Sequence, residues 1–149
     1  MEEIYLCNHI YHTDFAKNRK INIHKFFSKW NTENCAIFNC AKDFVEIFGD
    51  LKIKIKQCSK PIFYTIIITP EYCQMSNSKI NMYNKFLAKD VLCVGFISGC
   101  NYDLLLSDDG KFYVAIDEDI SCWGNSFEEL LENIFTDKIA KCEWYEIEE

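Results

Sequence analysis

The stretch Leu51-Lys52-Ile53-Lys54-Ile55-Lys56 decides the fold class. Aliphatic residues alternate strictly with lysines. Successive side chains of a strand point to opposite faces, so the stretch reads as a β-strand with one buried face and one lysine-covered face. Exposed lysines also discourage edge-to-edge pairing. Upstream, Cys40, Ala41, Phe44, Ile47 and Phe48 fall at helical spacing, and Gly49 follows them as an expected left-handed C-terminal cap. Downstream, Phe63 to Thr69 is β-branched and aromatic, which predicts a second strand closed by Pro70.

Further outward the pattern alternates between classes. Ile4, Cys7, Ile10, Tyr11 and Phe15 suggest an N-terminal helix, and Ile23, Phe26, Phe27 and Trp30 suggest another from about Ile21 to Asn31. Ile80, Tyr83, Phe86 and Leu87 predict a short helix. The second half reads as a meander: strands over Leu92 to Phe96, Tyr102 to Leu106 and Lys111 to Ile116, with Asp108-Asp109-Gly110 as the hairpin turn. Ser126 and Glu129 form a capping box ahead of the stripe Phe127, Leu130, Leu131, Ile134 and Phe135. The tail from Lys138 to Glu149 fits helix or strand. Helices, strands, a helix, more strands and a final helix make an α+β fold, with a mostly antiparallel central sheet flanked by helices. No repeat or linker interrupts the chain, so residues 1–149 are expected to form a single domain.

Charge narrows the function. The 149 residues carry a formal charge of −7. Residues 1–75 are net +2 and residues 76–149 net −9. An acidic half repels phosphate and anionic lipid, which argues against nucleic acid or membrane and for a basic protein partner. The acidic start Met1-Glu2-Glu3 is unlike a secretion signal, and no apolar run is long enough to span a bilayer. A cytoplasmic location is expected. The nine cysteines have an odd count and no Cys-x-x-Cys pair, so they read as reduced thiols used as small apolar residues.

Four segments, in order, resemble the SUKH superfamily of bacterial immunity proteins, whose fold is Smi/Knr-like, and within it the third group. They are Phe15-Ala16-Lys17-Asn18-Arg19-Lys20-Ile21, with Arg19 in place and Asp14-Phe15 where Gly-Trp is usual; Ala41 to Leu51, containing Phe44 and Phe48 and ending Phe48-Gly49-Asp50-Leu51 where Phe-Gly-Gly-Leu is usual; Val94-Gly95-Phe96 followed by Leu104 to Tyr113 with Gly110; and Gly124-Asn125-Ser126-Phe127-Glu128-Glu129-Leu130-Leu131. The resemblance implies a protein that binds and neutralises a cognate toxin domain, nucleases and deaminases among such toxins, with no catalytic residues and no cofactor. Its motif residues Arg19, Phe44, Phe48, Gly49, Gly95, Gly110 and Gly124 have scaffold roles on physical grounds: Gly49 caps, Gly110 turns, and Gly124 lets the chain approach the last helix.

Candidate contacts follow from charge. Asp103, Asp108, Asp109, Asp117, Glu118 and Asp119 bracket one hairpin, and if the loops lie together they form a negative field that steers a basic toxin. Trp123 and Tyr113 are possible aromatic anchors that equally suit the core. Two rival chemistries need groups that the sequence does not place together. Cys7, His9 and His12 have zinc-ligand chemistry, but a structural zinc needs four ligands, and Cys7 and His9 point to different sides of a helix. A Cys–His nucleophile would need one of the nine thiols to approach a histidine in space. A Smi/Knr-like adaptor is the alternative within the binding class, and a cysteine-dependent enzyme the alternative outside it.

Overall fold

A computed structural model describes residues 1–6, 14–16, 18–73 and 75–147. One eight-stranded sheet carries the chain in sequential order: β1 (Glu2–Leu6), β2 (Leu51–Lys56), β3 (Phe63–Ile68), β4 (Val91–Ser98), β5 (Tyr102–Ser107), β6 (Phe112–Ile116), β7 (Asp119–Gly124) and β8 (Trp144–Glu146). Every adjacent pair is antiparallel except β1 with β2. That parallel pair needs a long crossover, which contains α1 (His24–Thr32) and α2 (Asn39–Phe48). Helix α3 (Asn77–Leu87) joins β3 to β4, and α4 (Phe127–Phe135) joins β7 to β8. The α+β class and the antiparallel sheet are as the sequence implied.

The larger core lies on one face of the sheet. Leu51, Ile53 and Ile55 of β2 are fully buried there with Ile66 and Ile68. Helices α1, α2 and α4 pack onto them through Phe26, Trp30, Phe44, Phe48, Leu130 and Leu131. Phe44 and Phe48 anchor an aromatic cluster: Phe44 lies 5.0 Å from Phe112 and 4.9 Å from Phe127, and Phe48 lies 4.6 Å from Phe127, ring to ring. Each buried phenyl contributes about 2–3 kcal/mol, so this cluster holds two helices, α2 and α4, to the sheet. Helix α3 covers only part of the second face, where Ile80 and Tyr83 pack on Cys93, Leu105, Tyr113, Ala115 and Ile120.

Three local readings change. Residues 2–6 form a strand rather than a helix. Ile4 pairs with Ile53 and Leu6 with Ile55, while Glu3 and Tyr5 face outward, so period two wins over the helical spacing. The rest of that helical stripe, Cys7 to Tyr11, lies outside the described residues. Gly49 does not take the left-handed conformation: its φ is −58°, and Asp50 takes φ +61° instead. Asp is among the few residues that tolerate that region. Gly49 is needed for space, since a Cβ there would lie 2.4 Å from the Val45 carbonyl oxygen and 2.6 Å from Ile21 Cδ1. The sheet also contains a strand the sequence did not reveal, β7, and β8 resolves the ambiguous tail after a 3-10 turn at Lys138–Lys141. Strand β2 is interior, between β1 and β3, so its lysines guard no sheet edge.

The remaining motif residues act in the scaffold. Arg19 donates from Nη1 to the Ile47 carbonyl and pairs through Nε with Glu2 at 3.3 Å, tying the end of α2 to β1. Gly95 sits at a bulge in β4, where a Cβ would lie 2.2 Å from the Ile67 carbonyl oxygen. Gly124 lies under the start of α4, 2.6 Å from the Leu130 nitrogen by the same test. Gly110 turns the β5–β6 hairpin with φ +83°, and its N–H donates to the Ser107 carbonyl at 2.9 Å. Ser126 caps α4 by accepting from the Glu129 N–H at 3.1 Å, while the Glu129 carboxylate accepts from the Asn125 side chain at 3.3 Å.

Candidate protein-binding surface

The six carboxylates divide between the two ends of the β5–β6 hairpin. Strand β6 separates Asp108 and Asp109 from the β6–β7 turn that carries Asp117 and Glu118. Five residues at roughly 3.3 Å each put about 17 Å between the ends.

Asp108 and Asp109 serve the hairpin itself. The Asp108 N–H donates to the Asp90 carbonyl at 2.9 Å. Asp109 accepts from the Ser107 hydroxyl and pairs with Lys89 at 2.9 Å. Partial burial raises the Asp109 pKa, but the Ser107 hydroxyl and the Lys89 ammonium outweigh it and hold the carboxyl at about 2. Lys89 also lies 5.2 Å over the Tyr113 ring. Tyr113 and Trp123 are 7% and 4% exposed, so both belong to the core.

Three of the other four gather, while Asp119, one residue before Ile120, faces the other side of the sheet. Asp103 on β5 pairs in register with Ala115, two residues before Asp117. Asp103, Asp117 and Glu118 line an open cleft of about 350 Å³ with Met75, Ser76 and Lys79. Lys79 reaches Glu118 at 3.3 Å. The Tyr83 hydroxyl donates to the Asp117 carbonyl at 2.9 Å. Burial raises the Tyr83 pKa, and the charges of Asp103, Glu118, Asp119 and Asp117 push it further in the same direction. Glu146 of β8 pairs in register with Asp119 and extends the negative end. Asp103 is half-buried, and burial raises its pKa to about 6.

Away from this acidic end, no described helix packs on the same sheet face. Lys52, Lys54 and Lys56 stand on it, none within 4 Å of a carboxylate among the described residues. Tyr5 and Phe63, 53% and 39% exposed, flank them. Lys54 lies 5.2 Å over the Phe63 ring, and Tyr72 stacks on Phe96 at 6.0 Å. Alternation in β2 exposed the lysines in the sequence. Their neighbours needed the strand register.

Six of the described thiols are poorly suited to nucleophilic chemistry. Burial raises the pKa of Cys35, Cys40, Cys93, Cys122 and Cys142, and carries Cys100 to about 11. A thiol needs the opposite shift to react as thiolate at neutral pH. Among the described residues no group of three or more His, Cys, Asp or Glu is arranged to hold a metal. The Cys7, His9 and His12 cluster lies outside the described residues. No described helix is long and apolar enough to cross a membrane.

No curated protein and no solved structure matches the chain. The family model of the SUKH-3 immunity proteins matches residues 10–137, which takes in all four motif segments, the acidic end and every strand from β2 to β7. The chain belongs to the SUKH-3 immunity protein family.

Proposed function

We propose that the chain, acting as one domain in the cytoplasm, neutralises a cognate toxin by covering its active site, without turnover and without a cofactor. The observation that carries the reading is the gathering of Asp103, Asp117 and Glu118 along one cleft, with the Tyr83 hydroxyl held on the Asp117 carbonyl. A cluster of carboxylates on a rigid strand-and-turn frame presents negative charge with little ordering cost. Such a surface accelerates encounter with a basic site and competes there with an anionic substrate. A nuclease, whose active site binds phosphate, has the matching chemistry.

Co-expression with the toxin domain encoded beside this chain tests the reading. The wild-type protein protects the cell and copurifies with the toxin. The triple variant Asp117→Asn/Glu118→Gln/Asp119→Asn loses most of its protection, while Asp108→Asn/Asp109→Asn keeps it, because those two carboxylates serve the hairpin. Equal protection by both variants removes the acidic end from the mechanism. Loss of protection on replacing the cysteines, with folding intact, points to the thiol enzyme instead.

A further inference from the structure

We infer that the lysine-bearing side of the second sheet face is a further docking surface, which takes an acidic segment of the same toxin. This rests on the toxin-binding reading and extends it to a second, oppositely charged contact. The strand register defines the surface. One cross-strand row runs Glu3, Lys52, Ile67, Phe96, Asp103. The next runs Tyr5, Lys54, Thr65, Ser98, and Lys56 pairs with Phe63 beyond it. Helix α3 covers the far part of this face, where it packs on Cys93, Leu105, Tyr113, Ala115 and Ile120.

Two features point to an acidic protein as occupant. First, the lysines are unpaired. Seven other cations, Arg19, Lys20, Lys25, Lys29, Lys60, Lys79 and Lys89, each hold a carboxylate within the described residues, whereas Lys52, Lys54 and Lys56, like five lysines elsewhere, hold none. Residues two apart on a strand stand about 6.6 Å from each other, so the three lysines follow one another along one face of an interior strand. Second, exposed Tyr5, Phe63 and Tyr72 stand among them on short, stiff side chains. Aromatic anchors beside unpaired charge are the composition of a binding hot spot. The same row ends at Asp103, so the surface is dipolar and continuous with the acidic end. A partner seated across it presents acidic groups to β2 and basic groups to the β6–β7 turn. The chain's charge of −7 opposes a second copy of itself as occupant.

The test compares wild type, Lys52→Gln/Lys54→Gln/Lys56→Gln and Lys52→Arg/Lys54→Arg/Lys56→Arg for binding to the adjacent toxin domain at low and high salt. The Gln variant weakens binding by about tenfold or more, chiefly through the association rate at low salt, and the Arg variant restores it. On the unmutated complex, amine acetylation is blocked at all three lysines. Binding by the Gln variant within about twofold of wild type, or unchanged acetylation in the complex, overturns the inference and leaves toxin binding intact. A wild-type chain that does not bind the toxin defeats both readings. Capture of an oligothymidylate probe by wild type but not by the Gln variant overturns the protein occupant in favour of single-stranded nucleic acid.

Discussion

Lys52 and Asp103 lie in one cross-strand row of the sheet, with Ile67 and Phe96 between them. Three strand spacings of about 4.8 Å separate their backbones by roughly 14 Å. They cannot form an ion pair at that distance. The sheet therefore holds opposite charges apart on one face, which a pair of flexible loops would not do. Asp103 shows the consequence. Burial raises its pKa to about 6, and no cation stands close enough to reverse the shift.

That shift makes a pH-dependent prediction. A carboxyl whose folded pKa lies above its unfolded value binds its proton more tightly in the native state. The native state is penalised as pH rises from about 4 through about 6, and the penalty is complete above that. Asp103→Asn removes it. The variant gains up to about 3 kcal/mol over wild type at pH 7.5, from two units at about 1.4 kcal/mol each, and gains little at pH 3.5. Urea melts of both proteins at the two pH values check this. An equal gain at both would show that charge burial is not the cause.

Asp109 is the opposite case. Its folded pKa is lowered to about 2, so its contribution is present above the unfolded value and is lost as pH falls through about 2. The side chain is 44% exposed, and solvent keeps that contribution small. Lys89→Met removes the ammonium at 2.9 Å and raises the Asp109 pKa, with little change in melting temperature at pH 7. A carboxylate titration followed by NMR reads the shift directly. An unmoved Asp109 would assign the effect to Ser107 alone.

Gly95 and Gly110 separate two reasons for glycine. At Gly95 a Cβ meets the Ile67 carbonyl at 2.2 Å, and backbone cannot move aside without opening β3 from β4. Gly95→Ala therefore costs about 3 kcal/mol or more. At Gly110 nothing lies within 4 Å, and the only cost is φ +83° for a residue with a Cβ. Gly110→Ala costs about 1 kcal/mol. Chemical denaturation of the two variants should rank them in that order, and the reverse ranking would refute the close strand approach.

Two buried tryptophans differ in their indole N–H. Trp30 donates to the Cys93 carbonyl at 3.0 Å, whereas Trp123 Nε1 is buried with no partner. Trp30→Phe loses a hydrogen bond and strands a buried carbonyl, adding about 1–3 kcal/mol to the packing loss. Trp123→Phe loses packing but also removes an unsatisfied donor. The Trp30 variant is thus the less stable of the two. Comparable melting temperatures would mean that Trp123 has found a partner, such as a buried water.

Much of the fold was legible because local periodicity and burial agree. Alternation in Leu51–Lys56 and the stripes of α2 and α4 each specify an element and the face it buries. Residues 2–6 were misread because a five-residue strand carries too few side chains to outvote a helical pattern continued by its neighbours. Strand β7 was missed because Asp119 to Gly124 holds two aliphatic or aromatic positions among polar ones, and its burial comes from β6, β8 and α4.

The sequence by itself determined the strand-and-helix inventory of most of the chain, its family motifs and the sign of each half's charge, because these depend on residue type and on spacing within one element. Tertiary structure alone decided which charges stand together. It divided six neighbouring acids between opposite ends of a hairpin, and it aligned Lys52 with Asp103 across 51 positions of sequence. Register follows from the faces that several strands bury together and from the turns that join them, so it becomes readable only in the assembled sheet.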